Sequence, residues 1–291
     1  MAIQVNNAVI LAAGLSSRFA PLSYEMPKAL IPVRGEILIE RQIKQLQEAG
    51  ITEIYVVIGD KHEAFQYLEK KFSVRLRYNE EYAVRNNHSS IYTARNYLKN
   101  SYICSSDNYF TQNPFRQEEE EAYYATVLAK GPTREWCIYE DQNGYIENVE
   151  IGGENCWYML GHVFWDENFS KTFVNLLSER YEDESIKDYL WEELYRQNLE
   201  RLKLKAKKYS DDFIFEFDSL EELRVFDPWY VQNSPSVILQ TLAQDFACTQ
   251  GDFHNIEVAK DKQGSPTGFT FYYESNQYLY IYEKKEWRRT K

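Results

Sequence analysis

The segment Leu11-Ala12-Ala13-Gly14-Leu15-Ser16-Ser17-Arg18, with Pro27-Lys28 shortly after it, carries residue types suited to holding phosphate. The run Asn7 to Ala13 (NAVILAA) is short, apolar, rich in β-branched residues and bounded by polar and Gly positions, which predicts a buried strand. A Gly-containing loop leaving such a strand offers backbone N–H groups to an anion. Leu11, Ala12, Ala13, Gly14, Ser16 and Ser17 are the expected positions around such an anion. Arg18 would grip a phosphate as a bidentate fork and Lys28 as a compact charge, and both are taken as catalytic candidates. No Gly-Lys-Ser/Thr follows, so the loop is neither a Walker motif nor a dinucleotide fingerprint. The residues alone leave a second reading open, in which Gly14 turns the chain and both cations face solvent.

Two carboxylates stand at strand ends, Asp107 after Ser101–Ser106 and Asp218 after a short strand at 214–217. Carboxylates so placed suit a hard cation. Asp218 by itself reads equally well as a helix N-cap, with Glu221 three residues later. The histidines His62, His88, His162 and His254 show no metal-ligand spacing and are expected to be structural or exposed. Cys104, Cys137, Cys156 and Cys248 show no paired spacing, so neither a disulfide framework nor a zinc site is expected.

These groups need a scaffold, and the pattern supplies one. Helices are expected at 36–49, 61–71 and 89–98, and strands at 7–13, 53–59, 74–78 and 101–106, the alternation of an open parallel sheet. After Asp107 the pattern changes to strands at 122–129, 136–140 and 145–151, the last two joined by Asp141-Gln142-Asn143-Gly144, a hairpin signal. Helices follow at 169–181, 186–196 and 219–225, with a short strand at 213–217, then a Pro-bounded linker at 227–235. A helix at 237–246 and a hairpin spanning 255–282 close the chain. The acidic run Glu118–Glu121 reads as a solvated helix start. The expected class is α/β, a Rossmann-like fold with a mixed, mostly parallel sheet, as a domain at 1–230 plus a small C-terminal extension at 231–291.

The 291 residues hold 33 Lys+Arg against 45 Asp+Glu, and the net charge of -12 excludes a general nucleic-acid binder. The apolar run Ala8–Ala13 is too short to cross a bilayer and lacks a basic leader, so a soluble, reduced, cytoplasmic protein is expected. The 24 Tyr, 16 Phe and 6 Trp must mostly be core, with some free to line a pocket.

The loop motif resembles the signature of the sugar-phosphate nucleotidyltransferase superfamily, Leu-x-Ala-Gly-x-Gly-Ser/Thr-Arg followed by a Pro-Lys pair. The chain is most similar to its bacterial choline-phosphate cytidylyltransferase branch, through Asn86-Asn87, Asp107-Asn108-Tyr109, Glu135-Trp136, Phe164-Trp165-Asp166 and Glu216-Phe217-Asp218-Ser219. The resemblance runs from about Ala8 to Leu223. It departs from the pattern at Ser16, where the family has its second Gly, and at Ser105, where that branch has another acid.

The resemblance implies transfer of CMP from CTP to phosphocholine, with Mg²⁺ held by Asp107 and Asp218, Asn87 and Ser89 near the base, and Arg134 on the acceptor phosphate. A trimethylammonium group has no N–H donor, so it is held by aromatic faces and carboxylates; Trp136, Asp188, Tyr189 and Trp191 are the expected set, with the Trp136 ring facing the cation. The alternatives are a sugar-1-phosphate nucleotidyltransferase and a catalytically silent nucleotide sensor. Against the first, Glu150-Ile151-Gly152 lacks the lysine that hexose-phosphate members carry there; against the second, Arg18, Lys28, Asp107 and Asp218 are all retained. The C-terminal hairpin is similar to the first hairpin of choline-kinase N-lobes, with no kinase catalytic motif after it, and is expected to be structural or to serve a homo-oligomer contact through exposed tyrosines.

Overall fold

The structure, a computed structural model, describes residues 2–290. It forms two compact units, Met1–Gly14 with Leu38–Glu216, and Leu15–Ile37 with Phe217–Lys291. This division differs from a break after residue 230, because the segment following the first strand groups with the C-terminal part of the chain.

The first unit is built on a nine-stranded mixed sheet. Its strands are β1 (Asn7–Ala12), β2 (Ile54–Ile58), β3 (Arg75–Tyr78), β4 (Ser101–Ser105), β5 (Tyr123–Leu128), β6 (Pro132–Glu140), β7 (Ile146–Glu154), β8 (Trp157–Trp165) and β9 (Lys205–Tyr209). The spatial order is β7-β6-β8-β4-β1-β2-β3, with β5 on the other edge of β8 and β9 beside β5. Strands β4, β1, β2 and β3 run parallel, as do β5 and β9, while β8 is antiparallel to β4, β5 and β6. The central strands are apolar on both faces: Ala8, Val9 and Ile10 of β1 and all five residues of β2 are buried, as a sheet covered on both sides requires. The helix Leu38–Glu48 buries Leu38, Ile39, Ile43 and Leu46, and Gly50, at φ 84°, lets the chain turn out of it.

Three expectations are corrected here. The helix expected at 186–196 is a 3-10 turn at Glu184–Ile186 and a separate helix at Trp191–Arg196. Two strands, β8 and β9, were not foreseen. The acidic run is no solvated helix start: Glu118 and Glu119 pair with Ile3 and Gln4 as a short strand, and Glu119 is buried. Its carboxylate accepts from the Tyr102 hydroxyl at 2.5 Å, the Tyr123 hydroxyl at 3.0 Å and the Lys207 ammonium at 2.9 Å. A buried acid needs such partners.

The cysteine expectation fails as well. Cys137 of β6 and Cys156, just before β8, form a disulfide with their Cα atoms 5.9 Å apart. Nineteen residues separate them in sequence, and only the adjacency of β6, β7 and β8 brings them together. The bond also departs from the expectation of a fully reduced chain.

The second unit holds a four-stranded antiparallel meander, β10 (Phe253–Lys260), β11 (Pro266–Tyr273), β12 (Asn276–Ile281) and β13 (Glu286–Arg289), rather than one hairpin. The helix Val237–Asp245 turns Leu239 and Leu242 inward, and Phe246 at its end lies 4.9 Å from the Tyr278 ring and 4.4 Å from the Trp287 ring. Tyr278, Tyr280 and Tyr282 are buried in this unit, so they are not the exposed tyrosines expected for an oligomer contact. Among the described residues no helix is long and apolar enough to cross a membrane.

Candidate active site

In the first unit, β1 ends at Ala12, and Ala13 and Gly14 leave the sheet at the carboxyl end of the parallel strands, where open α/β sheets bind ligands. The Ala13 carbonyl accepts from the Asp60 backbone N–H at 3.4 Å. Gly59 makes this approach possible, since a Cβ there would fall 2.7 Å from the Ala13 carbonyl oxygen and 2.6 Å from Tyr82. Beside Gly14 a Cβ would meet nothing within 4 Å, so the turn borders open space. Asp107 lies in the two-residue turn between β4 and the short strand Asn108–Phe110.

A narrow cleft with about 10 Å³ of free space, room for about one water, lies at the same carboxyl ends, lined by Leu11 of β1, Ser105 of β4, Tyr124 of β5, Gly161 of β8, and Trp191 and Glu192. Gly161 sits at φ 102°, where the β5–β8 register breaks between Tyr124/Val163 and Thr126/Met159. Tyr124 and Trp191 stack with ring centroids 5.6 Å apart, and Trp191 packs edge-on against Trp165. Glu192 accepts from the Tyr124 hydroxyl at 3.1 Å and from the Asn87 amide at 3.3 Å. Burial pushes its carboxyl up to about 7, against the hydrogen bonds that favour the anion. Nothing in the sequence singled out Glu192, because an acid in the first turn of a helix reads as a response to the helix dipole.

The expected acceptor residues fall in different places. Trp191 is core, and its ring forms a wall of the cleft with Tyr124. Trp136 is half-buried beside the core and already has the Arg196 guanidinium 5.8 Å from its ring centroid. Arg134 is exposed, within the β6–β7 register break between Thr133 and Trp136. Asp188 is exposed, and its carbonyl accepts from the Asn86 side chain at 3.0 Å. The Tyr189 carbonyl meets His88 Nδ1 at 2.6 Å. Ser89 is fully buried, donating to the Asn86 carbonyl and accepting from the Asn79 amide. His88 and His162 are buried with burial lowering both pKa values, and His62 and His254 are exposed, as the spacing argument anticipates.

In the second unit, Ser16 adopts φ 48° and ψ 36° ahead of the 3-10 turn Ser17–Phe19. This left-handed conformation is one that Gly takes without a Cβ penalty of about 1–2 kcal/mol, so the family's second Gly has a steric reason and Ser16 bears the strain. Arg18 Nη1 lies 2.8 Å from Asp218 Oδ2, with the Arg18 side chain 73% exposed. Asp218 is not the helix cap: Ser219 Oγ accepts from the Glu222 backbone N–H, and Glu222 in turn accepts from the Asp218 backbone N–H at 2.6 Å. The Asp218 carboxylate is paired with Arg18 instead. Lys28, after Pro27, is only 7% exposed, with its ammonium 5.6 Å from the Phe19 ring centroid.

A glycine-containing turn at the carboxyl end of the first parallel strand of an open α/β sheet is a place suited to an anionic ligand. Residues 8–130 match the MobA-like NTP transferase domain. The choline-phosphate cytidylyltransferase of Streptococcus pneumoniae is 32% identical over 75% of this chain and 95% of its own length. The 2-aminoethylphosphonate cytidylyltransferase of Lancefieldella rimae is 33% identical over 77% of this chain and 93% of its own. The solved structure of the Streptococcus pneumoniae CTP:phosphocholine cytidylyltransferase superposes with a TM-score of 0.74, covering 78% of this chain and 99% of that one. The chain belongs to this family of nucleotidyltransferases.

Glu192 links the site to stability. Its raised carboxyl favours the folded state most while protonated, fully so below the unfolded value near 4.5, and that contribution is lost as pH rises through about 7. Glu192→Gln removes this loss, so its melting temperature should rise relative to wild type between pH 5 and pH 8. A gap between the two proteins that does not change with pH would show that Glu192 is not held in a raised state.

Proposed function

We propose that this protein transfers CMP from CTP to phosphocholine, giving CDP-choline and pyrophosphate. The observation that carries the reading is the 32% identity to a choline-phosphate cytidylyltransferase over 75% of this chain and 95% of that protein. Its support in the comparisons is that both close relatives are named for acceptors with a cationic nitrogen, trimethylated in phosphocholine and a primary ammonium in 2-aminoethylphosphonate. Sugar phosphates have no such charge.

An acceptor phosphate oxygen attacks the α-phosphorus, and the bond to the bridging oxygen breaks as pyrophosphate leaves. A phosphomonoester with a second pKa of about 6 is already largely dianionic at pH 7, so no side chain must remove a proton. The loop backbone from Leu11 to Ser17 and the Arg18 and Lys28 side chains offset the triphosphate charge. Asp107 and Asp218 are each proposed as a Mg²⁺ ligand on their match to the family pattern, and their hard oxygen donors suit that ion. When bound, Mg²⁺ would neutralise charge on the triphosphate. The reading places the protein with its nucleotide, in the cytoplasm.

The test replaces the cationic nitrogen alone. 3,3-Dimethylbutyl phosphate has the shape of phosphocholine without its charge. The kcat/KM for it should fall by about 10–30-fold, the equivalent of about 1.4–2 kcal/mol for a desolvated cation on aromatic faces. Equal values for the two acceptors would overturn the assignment.

A further inference from the structure

The cytidylyltransferase match takes 95% of the relative's length and 75% of this chain, so a quarter of this chain lies outside it. The resemblance ends near Leu223, which places the helix Val237–Asp245 and the meander β10–β13 beyond it. Both belong to one compact unit with residues 15–37, the segment that carries Ser16, Arg18 and Lys28.

The added part meets that segment at several points. Tyr282, directly after β12, stacks on Tyr24 with ring centroids 3.7 Å apart and the planes 3° from parallel. Glu25 Oε1 accepts from the Ile238 backbone N–H at 3.1 Å, so the loop segment supplies an acceptor to the first turn of the added helix, beside the cap from Ser236. Strand β10 runs alongside the 3-10 turn Ser17–Phe19, on which Arg18 sits. The start of β10 is bonded in turn to the helix Leu220–Phe226 behind Asp218. There the Arg224 guanidinium donates to the Phe253 carbonyl at 2.7 Å, and the Ile256 N–H donates to Glu221 Oε1 at 3.2 Å.

Ser16 supplies a reason for such contacts. At φ 48° it holds a conformation that a Cβ disfavours. A residue persists in such a conformation only where its surroundings over-determine it. Glycine, which the family pattern has there, needs no such support. Local bonds alone are weak: the Phe19 N–H on the Ser16 carbonyl and the Met26 N–H on the Leu22 carbonyl, each at 2.9 Å, close turns far shorter than a self-sustaining helix.

We propose that the C-terminal helix and meander brace the Ser16–Lys28 segment, offsetting the strain at Ser16 and holding Arg18 where it meets the triphosphate. The inference rests on the functional reading above and deepens it, by assigning part of the nucleotide affinity to residues outside the match.

Tyr282→Leu tests this in the full chain, because it keeps an apolar side chain in the meander and deletes the stack on Tyr24. The KM for CTP is expected to rise about 5–10-fold, with the KM for phosphocholine within about twofold of wild type. The Phe19 and Met26 amides should exchange with solvent at least about 5-fold faster, while those of Val9 and Ile10 in β1 keep their rates. Combined with Ser16→Gly, the same substitution should raise the KM for CTP by less than about twofold, since glycine takes the left-handed conformation unaided. Should Tyr282→Leu melt below the assay temperature, Tyr24→Ala removes the exposed ring of the same stack and is held to the same expectations. An unchanged KM for CTP, unchanged exchange at Phe19 and Met26, or an equal rise in KM with and without Ser16→Gly would overturn the inference. A wild type inert with phosphocholine would sink the functional reading instead. The brace would then be read from amide exchange alone, which must still quicken in Tyr282→Leu and quicken less when Ser16→Gly is added.

Discussion

Asp107→Ala and Asp218→Ala are each expected to slow pyrophosphate release at least about 100-fold, since each removes a proposed Mg²⁺ ligand acting on the charge of the transition state. For Asp218 the loss should come without loss of fold. Its pair with Arg18 is exposed and contributes only about 0–1 kcal/mol, and the helix that follows is capped by Ser219 and Glu222. Melting temperature and turnover measured together separate the two effects. Wild-type turnover in either variant would remove that residue from the site.

Lys28→Met is the second large effect. The thioether fills much of the volume of the lysine stem beside Phe19 while deleting the charge, so the fold should survive and turnover should fall at least about 100-fold. Lys28→Arg should rescue poorly. The ammonium occupies a position that is 7% exposed, and a planar guanidinium needs both more room and a different donor geometry. Normal binding and turnover of CTP by Lys28→Met would refute the assignment of this loop to the triphosphate.

Much of the scaffold was legible because local pattern and global packing agree. The run NAVILAA could only be a buried strand, and the Asn143-Gly144 turn does join β6 to β7, with Gly144 at φ 81° and the Asp141 N–H bonded to the Tyr145 carbonyl. Strand β8 was missed because Gly161 and its register break interrupt any period-two signal, and β9 because Lys205, Lys207 and Lys208 make it look like surface. Lys207 is nonetheless partnered inside by Glu119, a pairing 88 residues apart that no local pattern records.

The loop after β1 could be read from the sequence as suited to an anion, while only the resemblance named a nucleotide. The small cleft lined by Tyr124, Gly161 and Glu192 left no such trace, because those residues come from three separate elements. Asn87 was singled out through the resemblance alone, and only the docking of the 187–192 strip against it shows which groups its amide holds. The Cys137–Cys156 bond is likewise a property of three adjacent strands, not of the spacing between two residues.

The most direct measurement is a competition for CTP. Phosphocholine, 2-aminoethylphosphonate and glucose 1-phosphate would be supplied at equal concentration with CTP and Mg²⁺, and the products resolved by phosphorus NMR. CDP-choline is expected to dominate, with the aminophosphonate product behind it and the sugar nucleotide at background. A sugar nucleotide formed as fast as CDP-choline would contradict the assignment of this protein to a cationic acceptor.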